Sequence, residues 1–262
     1  MTTGLLLAID QGNTNTVFAV FDGDRLLGQW RIGTRTDRTG DEYAVWLHQI
    51  LALDGIESKR VTDAVISSVV PQALFDLTTL CHKHFHADPV VVGEGADLGI
   101  PVRIDSPNEA GADRVVNAVG AYMRFGGPLI VIDFGTATTF DVVDADGGFS
   151  GGVFAPGINL ALDAMNRISA RLPRIGIARP SRVIGTTPVA CMQSGAYWGY
   201  VSLIEGVVRR MKAEYGAPMQ VIATGGLAPL FDAATDAIDS FDPDITVRGL
   251  LEVWRRTRQA GA

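Results

Sequence analysis

The sequence predicts an α/β protein made of two duplicated halves with a cleft between them, and three observations carry that prediction. The stretch Ile9-Asp10-Gln11-Gly12-Asn13-Thr14-Asn15 is answered much later by Ile132-Asp133-Phe134-Gly135-Thr136-Ala137-Thr138, with the same Ile-Asp-x-Gly order and small polar run. Each copy leads through an apolar run to an Asp-Gly turn, at Asp22-Gly23 and at Asp146-Gly147. Aligned on Asp10 and Asp133, the copies stand nearly half the chain apart, too far for a solenoid period and right for a duplicated domain.

The elements follow in order. Residues 4–10 read as a buried strand, and 13–32 as two more strands turned at Asp22-Gly23-Asp24, because Asp-Gly between β-rich runs favours a tight hairpin. Tyr43, Val45, Trp46, Leu47, Ile50 and Leu51 recur at helical spacing over 41–53, with Asp41 and Glu42 suited to the positive N-terminal end. A strand over 64–68, a helix from Pro71 to about Phe85 and a strand over 89–92 complete the first half. Ser106-Pro107-Asn108-Glu109 offers an N-cap, a first-turn proline and a capping-box glutamate, which predicts a helix from there to about Phe125, stopped by Gly126-Gly127-Pro128. The meander then restarts, with strands over 129–133, 136–143 and 152–155. Helical patterns over 158–171 and 189–215, a strand over 220–223 and a helix over 246–257 finish the chain. The division falls within the helix that begins near Ser106, giving an N-terminal half of 1–117 and a C-terminal half of 118–262.

Composition narrows the function. A chain of 262 residues that is 47% hydrophobic can fill packed cores. The formal charge of −7 argues against nucleic acid as a partner, since phosphate binding needs a basic face. No window reaches the roughly 18 uninterrupted apolar residues of a membrane span, and no basic-then-apolar leader opens the chain, so the expected location is the cytoplasm, away from any membrane. Cys81 and Cys191 lack CxxC spacing and read as buried thiols. His82, His84 and His86 do not share one helical face and read as a solvated helix end rather than a metal site. Residues 196–208 are apolar enough for a partner subunit or for internal packing. There is no GxxxxGK[ST], and none of the three lysines lies near a glycine-rich loop, which excludes a P-loop. Gly93-Glu94-Gly95 lacks the third glycine and the following helix of a dinucleotide fold.

The repeated stretch has its own chemistry. A strand ending in Asp-x-Gly puts a carboxylate at the sheet edge, and the glycine lets backbone N–H groups approach a ligand. A phosphate repels that carboxylate unless a cation stands between them, and Mg²⁺ takes one or two carboxylates together with phosphate oxygens and water. One copy alone is equally well a tight hairpin; two copies at duplicated positions favour a clamp on a nucleoside triphosphate tail. Ala223-Thr224-Gly225-Gly226-Leu227-Ala228 adds a strand, a double glycine and a helix-like start, a turn that admits a nucleoside.

Taken together, Asp10 to Asn15, Gly111-Ala112-Asp113-Arg114, Asp133-Phe134-Gly135-Thr136-Ala137-Thr138-Thr139, Gly151-Gly152 with Pro156-Gly157, Met192-Gln193-Ser194-Gly195 and Thr224-Gly225-Gly226-Leu227 resemble the superfamily of acetate and sugar kinases, Hsc70 and actin. Those proteins have the actin-like ATPase fold, two duplicated ribonuclease-H-like domains with ATP in the interdomain cleft. More closely, and from end to end, the chain resembles the type III pantothenate kinases.

The resemblance implies ATP-dependent phosphorylation of pantothenate, the first step toward coenzyme A, by a homodimer using Mg²⁺ and a monovalent cation, K⁺ or NH₄⁺. It implies Asp113 as general base, Asp133 as cation ligand, and Asp10, Gln11, Gly12, Asn13, Thr14 and Asn15 as the phosphate loop, with Asp10 also at the metal. Thr136, Gly225 and Gly226 would contact ATP, and Gly111, Ala112, Asp113 and Arg114 would border pantothenate. Early in the predicted helix, Asp113 would be favoured as an ionised carboxylate by the helix dipole. Two residues depart from the family pattern: Ile104 stands where a Tyr is usual, and Pro188 where a Thr is usual. A non-catalytic nucleotide-binding regulator, or a kinase of another small hydroxy acid, are the rival readings. Asp10, Asp113 and Asp133 together speak against the regulator, which needs no base.

Overall fold

Alternation along the first strand decides what lies on each side of the sheet. The computed structural model describes residues 4–93, 96–168, 173–231 and 234–260. Here β1 (Leu5–Gln11), β2 (Asn15–Asp22) and β3 (Arg25–Gly33) form the antiparallel meander, with Gly23 at φ +60° in the tight turn. Helix α1 (Gly40–Leu53) starts from a full capping box: the Glu42 N–H donates to Thr39 Oγ1, and the Thr39 N–H donates to the Glu42 carboxylate at 2.9 Å. Next come β4 (Val61–Ser68), α2 (Pro71–Thr79), which passes into a π turn over Leu80–Phe85, and β5 (Pro89–Val91). The sheet order is β3-β2-β1-β4-β5, with β4 parallel to β1 and β5 parallel to β4.

The helix expected from Ser106 does not begin there. Pro107–Glu109 forms a single 3₁₀ turn in which the Ser106 side chain makes no capping bond. Ala110 is then extended at ψ 121°, and the Val115 N–H donates to the Gly111 carbonyl to open α3 (Ala112–Phe125). The start signals at Ser106 are consumed by the short turn. Asp113 therefore stands inside the first turn of α3.

The second meander is β6 (Leu129–Phe134), β7 (Ala137–Val143) and β8 (Phe149–Pro156), followed by α4 (Ile158–Ile168) and α5 (Pro188–Tyr215). The end of the helix expected over 158–171 lies outside the described residues, as do Glu94 and Gly95 of the glycine pair. Thr187 caps α5 by accepting the Ala190 N–H at 3.2 Å, and Pro188 takes the first-turn position where its missing N–H is harmless. Strands β9 (Gln220–Thr224) and β10 (Ser240–Phe241) run parallel to β6 and to β9, giving the order β10-β9-β6-β7-β8, and α6 (Ile245–Ala260) ends the chain. The second sheet thus repeats the first strand for strand. The sequence pattern missed β10, which is too short to show alternation.

By contacts, the chain falls into one unit of Met1–Arg124 with Asp244–Ala262 and another of Phe125–Pro243. Sequence order divides the chain at 117/118; contacts keep α3 as far as Arg124 with the first sheet and bring α6 to it. In the first unit, Leu5, Leu7, Ile9, Phe18 and Ile66 bury one sheet face against Tyr43, Leu47 and Leu51 of α1 and Leu77 of α2. Leu6, Ala8, Phe21 and Val65 bury the other against Val116 and Val119 of α3 and Val247, Leu250 and Val253 of α6. Each such fully buried Leu, Ile or Phe contributes about 1.5–3 kcal/mol. Helices α3 and α6 cross in backbone contact, since a Cβ on Gly120 would stand 2.2 Å from the Ile245 carbonyl and one on Gly249 2.1 Å from that of Val116.

In the second unit, Ile130, Ile132, Phe134, Val221 and Ala223 pack under Tyr197, Val201, Ile204 and Val208 of α5, with Phe231 stacked on Phe134 at 5.0 Å. The apolar stretch over 196–208 is thereby packed within its own unit. Among the described residues, no helix is long and apolar enough to cross a membrane.

Candidate active site

Asp10 and Asp133 occupy equivalent ends of the middle strands β1 and β6. Strand alternation sets their direction: Leu6, Ala8 and Asp10 share the face toward α3 and α6, while Asp133 lies opposite Ile130, Ile132 and Phe134. Both aspartates are half-buried, whereas Asn13, Thr14, Asn15, Gly135 and Thr136 are exposed at the strand tips.

The loops are related but not identical. The last register pair of the first hairpin is Gln11 with Thr16, and the Gly12 N–H donates to the Asn15 carbonyl at 2.9 Å. In the second the last pair is Phe134 with Thr138, and the Gly135 N–H donates to the Ala137 carbonyl at 3.0 Å, so this turn is one residue shorter.

Gln11, expected in the phosphate loop, points into the core. Its side chain is fully buried, its Oε1 accepts the Ser68 hydroxyl at 2.8 Å, and its amide nitrogen reaches Tyr43 and Thr16 at 3.5 Å each. Thr34 pins the loop from outside, donating from Oγ1 to the Gly12 carbonyl at 2.8 Å and from its N–H to the Thr14 carbonyl at 2.9 Å. Ser68, Tyr43 and Thr34 escaped the sequence reading because each meets the loop only through the fold.

The second loop is braced by glycines. A Cβ on Gly157 would meet the Thr136 carbonyl at 2.2 Å, so only glycine lets the β8–α4 junction lie against this turn. Gly225 has φ +93°, and a Cβ there would stand 2.5 Å from Asp133 Oδ1 and 2.6 Å from the Phe134 nitrogen. Gly225 and Asp133 are therefore direct neighbours, while Gly226 is exposed one residue further on. Within the same unit the Tyr200 hydroxyl bonds with Thr138 and donates to the Pro156 carbonyl at 3.2 Å, fixing α5 against β7 and β8.

Gly111, Asp113 and Arg114 come together at the start of α3, with Asp113 Oδ1 2.7 Å from where a Gly111 Cβ would stand. Ala112 instead packs toward the core. Asp113 Oδ1 accepts the Arg114 N–H at 2.8 Å. Burial pushes the Asp113 carboxyl above its ordinary 3.8, outweighing the Arg114 N–H and the Arg114 charge, which pull it down. Desolvation at this half-buried position thus works against the helix dipole that favours the carboxylate, and it makes the group a stronger base.

Elsewhere the histidines form exposed pairs, His82 with Asp88 at 3.0 Å and His84 with Asp41 at 2.7 Å. Among the described residues no three His, Cys, Asp or Glu side chains gather as a metal site. Single carboxylates such as Asp10 suit a magnesium ion that arrives with the nucleotide and takes most of its ligands from phosphate and water. Cys81 is buried and its thiol is pushed up to about 12 by desolvation, but Cys191, expected buried, is exposed at the start of α5.

Two mixed five-stranded sheets of one topology, each with an aspartate ending its middle strand, define a protein of the actin-like ATPase and sugar-kinase fold. Solved structures agree on the fold: component A of (R)-2-hydroxyglutaryl-CoA dehydratase from Acidaminococcus fermentans matches at TM-score 0.53 and 14% identity, covering 99% of this chain and 100% of that one. A candidate 2-dehydro-3-deoxygalactonokinase from Sinorhizobium meliloti matches at TM-score 0.61 and 12% identity, covering 96% of each. The chain belongs to the type III pantothenate kinase family, whose model matches residues 6–210. Type III pantothenate kinases from Phenylobacterium zucineum and Caulobacter vibrioides are each 58% identical to it, over 97% and 96% of this chain and 99% and 97% of theirs. The family expected from the sequence motifs, and the fold it implies, are both borne out.

Proposed function

We propose that the chain transfers the γ-phosphoryl group of ATP to the primary hydroxyl of pantothenate, giving 4′-phosphopantothenate and ADP, with Asp113 as general base. The observation that carries the assignment is the carboxylate of Asp113 at the first turn of α3, with its basicity raised by burial. Asp113 takes the hydroxyl proton as the new O–P bond forms and the bond to the ADP oxygen breaks. Arg114, adjacent on the helix, suits the pantothenate carboxylate.

The first loop, Asp10 to Asn15, receives the phosphate tail, with Gln11 as the internal anchor that holds its strand end in place. Bound Mg²⁺ would neutralise charge on the phosphate oxygens, and Asp10 is the residue to hold it. Asp133, kept accessible by the side-chain-free Gly225, is the residue for K⁺ or NH₄⁺, while Thr136 and Gly226 are placed at the exposed tips where ATP contacts are read from the family. An enzyme that consumes ATP works where ATP is made available, so the cytoplasm is the compartment. A homodimer is supported by apolar side chains exposed on the edge strand β8 and on α4, with Phe154 65% and Leu160 46% exposed.

The test is ADP release from Mg-ATP with and without pantothenate, in potassium and in sodium buffer, with Asp113→Asn as control. Pantothenate-dependent, potassium-stimulated release that the variant loses is the expected result; wild-type turnover by Asp113→Asn would remove the base assignment.

A further inference from the structure

Asp10 has a neighbour on the adjacent strand. Strands β1 and β4 run parallel, and their register sets Asp10 beside Ser67. The two share a sheet face: Leu6 and Ala8 on β1 and Val65 on β4 belong to the cluster under α3 and α6, so alternation puts Asp10 and Ser67 on that same side. Parallel neighbours lie about 4.8 Å apart, within reach of a serine hydroxyl and a carboxylate after a side-chain rotation.

Ser67 is fully buried, and among the described residues its Oγ has no hydrogen-bond partner. Leaving a hydroxyl in that condition carries a desolvation cost that a fold has no reason to retain where alanine would serve. The next residue shows the contrast. Ser68, on the opposite face, donates to Gln11 Oε1 at 2.8 Å and accepts the Val70 N–H at 3.1 Å. The duplicated half repeats the arrangement, since Thr224 of β9 is the buried register neighbour of Asp133. Both aspartates thus stand beside a hydroxyl residue on the parallel strand next to them.

We infer that Ser67 is a positioning residue for Asp10: when a cation and phosphate engage the accessible edge of the carboxylate, the Ser67 hydroxyl donates to it and fixes its orientation. The inference rests on the reading of Asp10 to Asn15 as the phosphate loop. Ser67 acts through Asp10 and touches no ligand itself.

The experiment measures Mg-ATP affinity by calorimetry, and apo melting temperature, for wild type, Ser67→Ala, Ser67→Cys, Ser67→Thr, Asp10→Asn and the Ser67→Ala/Asp10→Asn pair. Removing a hydrogen bond to a charged group weakens Mg-ATP binding about tenfold or more in Ser67→Ala and Ser67→Cys. Ser67→Thr, which copies Thr224, retains affinity within a few-fold. Apo melting is unchanged or raised in Ser67→Ala, because the group removed had no partner, and the serine effect vanishes in the Asp10→Asn background. Wild-type affinity in both Ser67→Ala and Ser67→Cys, or an undiminished serine effect in the pair, overturns the inference while leaving the loop assignment standing. If Asp10→Asn itself binds Mg-ATP like wild type, the loop assignment fails and takes the inference with it.

Discussion

The Thr246 hydroxyl donates to the Asn117 amide oxygen at 2.6 Å, tying α6 to α3 one helical turn beyond Asp113. Asn117 is fully buried, and the backbone contacts at Gly120 and Gly249 lie one turn further along. The helix that carries the proposed base is thus held along its length, not only at its start. Thr246→Val should destabilise the protein by about 1–3 kcal/mol, because the Asn117 oxygen loses a donor where water cannot replace it. A melting temperature equal to wild type would show that the bond is not structural.

For Asp113→Asn, kcat should fall by about 10²–10⁴-fold, the usual contribution of a general base. In the wild type the acid limb of kcat/KM should lie above the ordinary carboxylate value of 3.8, since burial raises this group. A limb at or below that value would assign the proton transfer elsewhere.

The same shift has a signed consequence for stability. A carboxyl whose folded pKa is raised contributes stability that is fully present below its unfolded pKa and lost as pH rises through the folded one. The ionised Asp113 is therefore a burden at neutral pH. Asp113→Asn should melt higher than wild type near about pH 7, and the advantage should fade as pH falls toward 3.8. An advantage that persists undiminished at low pH would contradict the assignment of the shift.

Gly225→Ala should be disproportionately harmful for one methyl group. The φ of +93° strains any other residue, and the new Cβ would press on Asp133 Oδ1 and the Phe134 nitrogen. Potassium activation, measured as the concentration giving half-maximal rate, should shift upward along with a drop in melting temperature. An unchanged potassium curve in a folded variant would separate Asp133 from the monovalent cation.

Phe154→Glu places a charge on the exposed face of the edge strand β8. If the proposed homodimer forms through this strand, sedimentation should show the variant as a lighter species than wild type; identical sedimentation would count against a homodimer contact at β8.

The parts legible in the sequence are those in which local chemistry and global fold agree. The unbroken apolar runs of β1 and β6, the Asp-Gly turn at Gly23 and the duplicated Ile-Asp-x-Gly all report on neighbours in the chain. Ser106 misled because Ser-Pro-x-Glu is a valid start for a 3₁₀ turn as well as for a helix, and the extended backbone at Ala110 is not written in those four residues. Gln11 misled differently: a glutamine in a polar run looks like a ligand group, and only the arrival of Ser68 and Tyr43 from other elements makes it an internal anchor. Pro188, a departure from the family pattern when counted by type, is a sound first-turn residue once Thr187 is seen capping α5. Thr34 and Ser67 meet the first loop through β-sheet register and loop closure, relations that no local pattern records.

The return of α6 to the first sheet sets an order of assembly. Leu6, Ala8, Phe21 and Val65 are synthesised early, yet part of their cover, Val247, Leu250 and Val253, is made only after every residue of the Phe125–Pro243 unit. The half of the chain that is born first is therefore finished last, and a ribosome stalled short of Ile245 would hold a nascent chain with one face of its earliest sheet still incompletely covered.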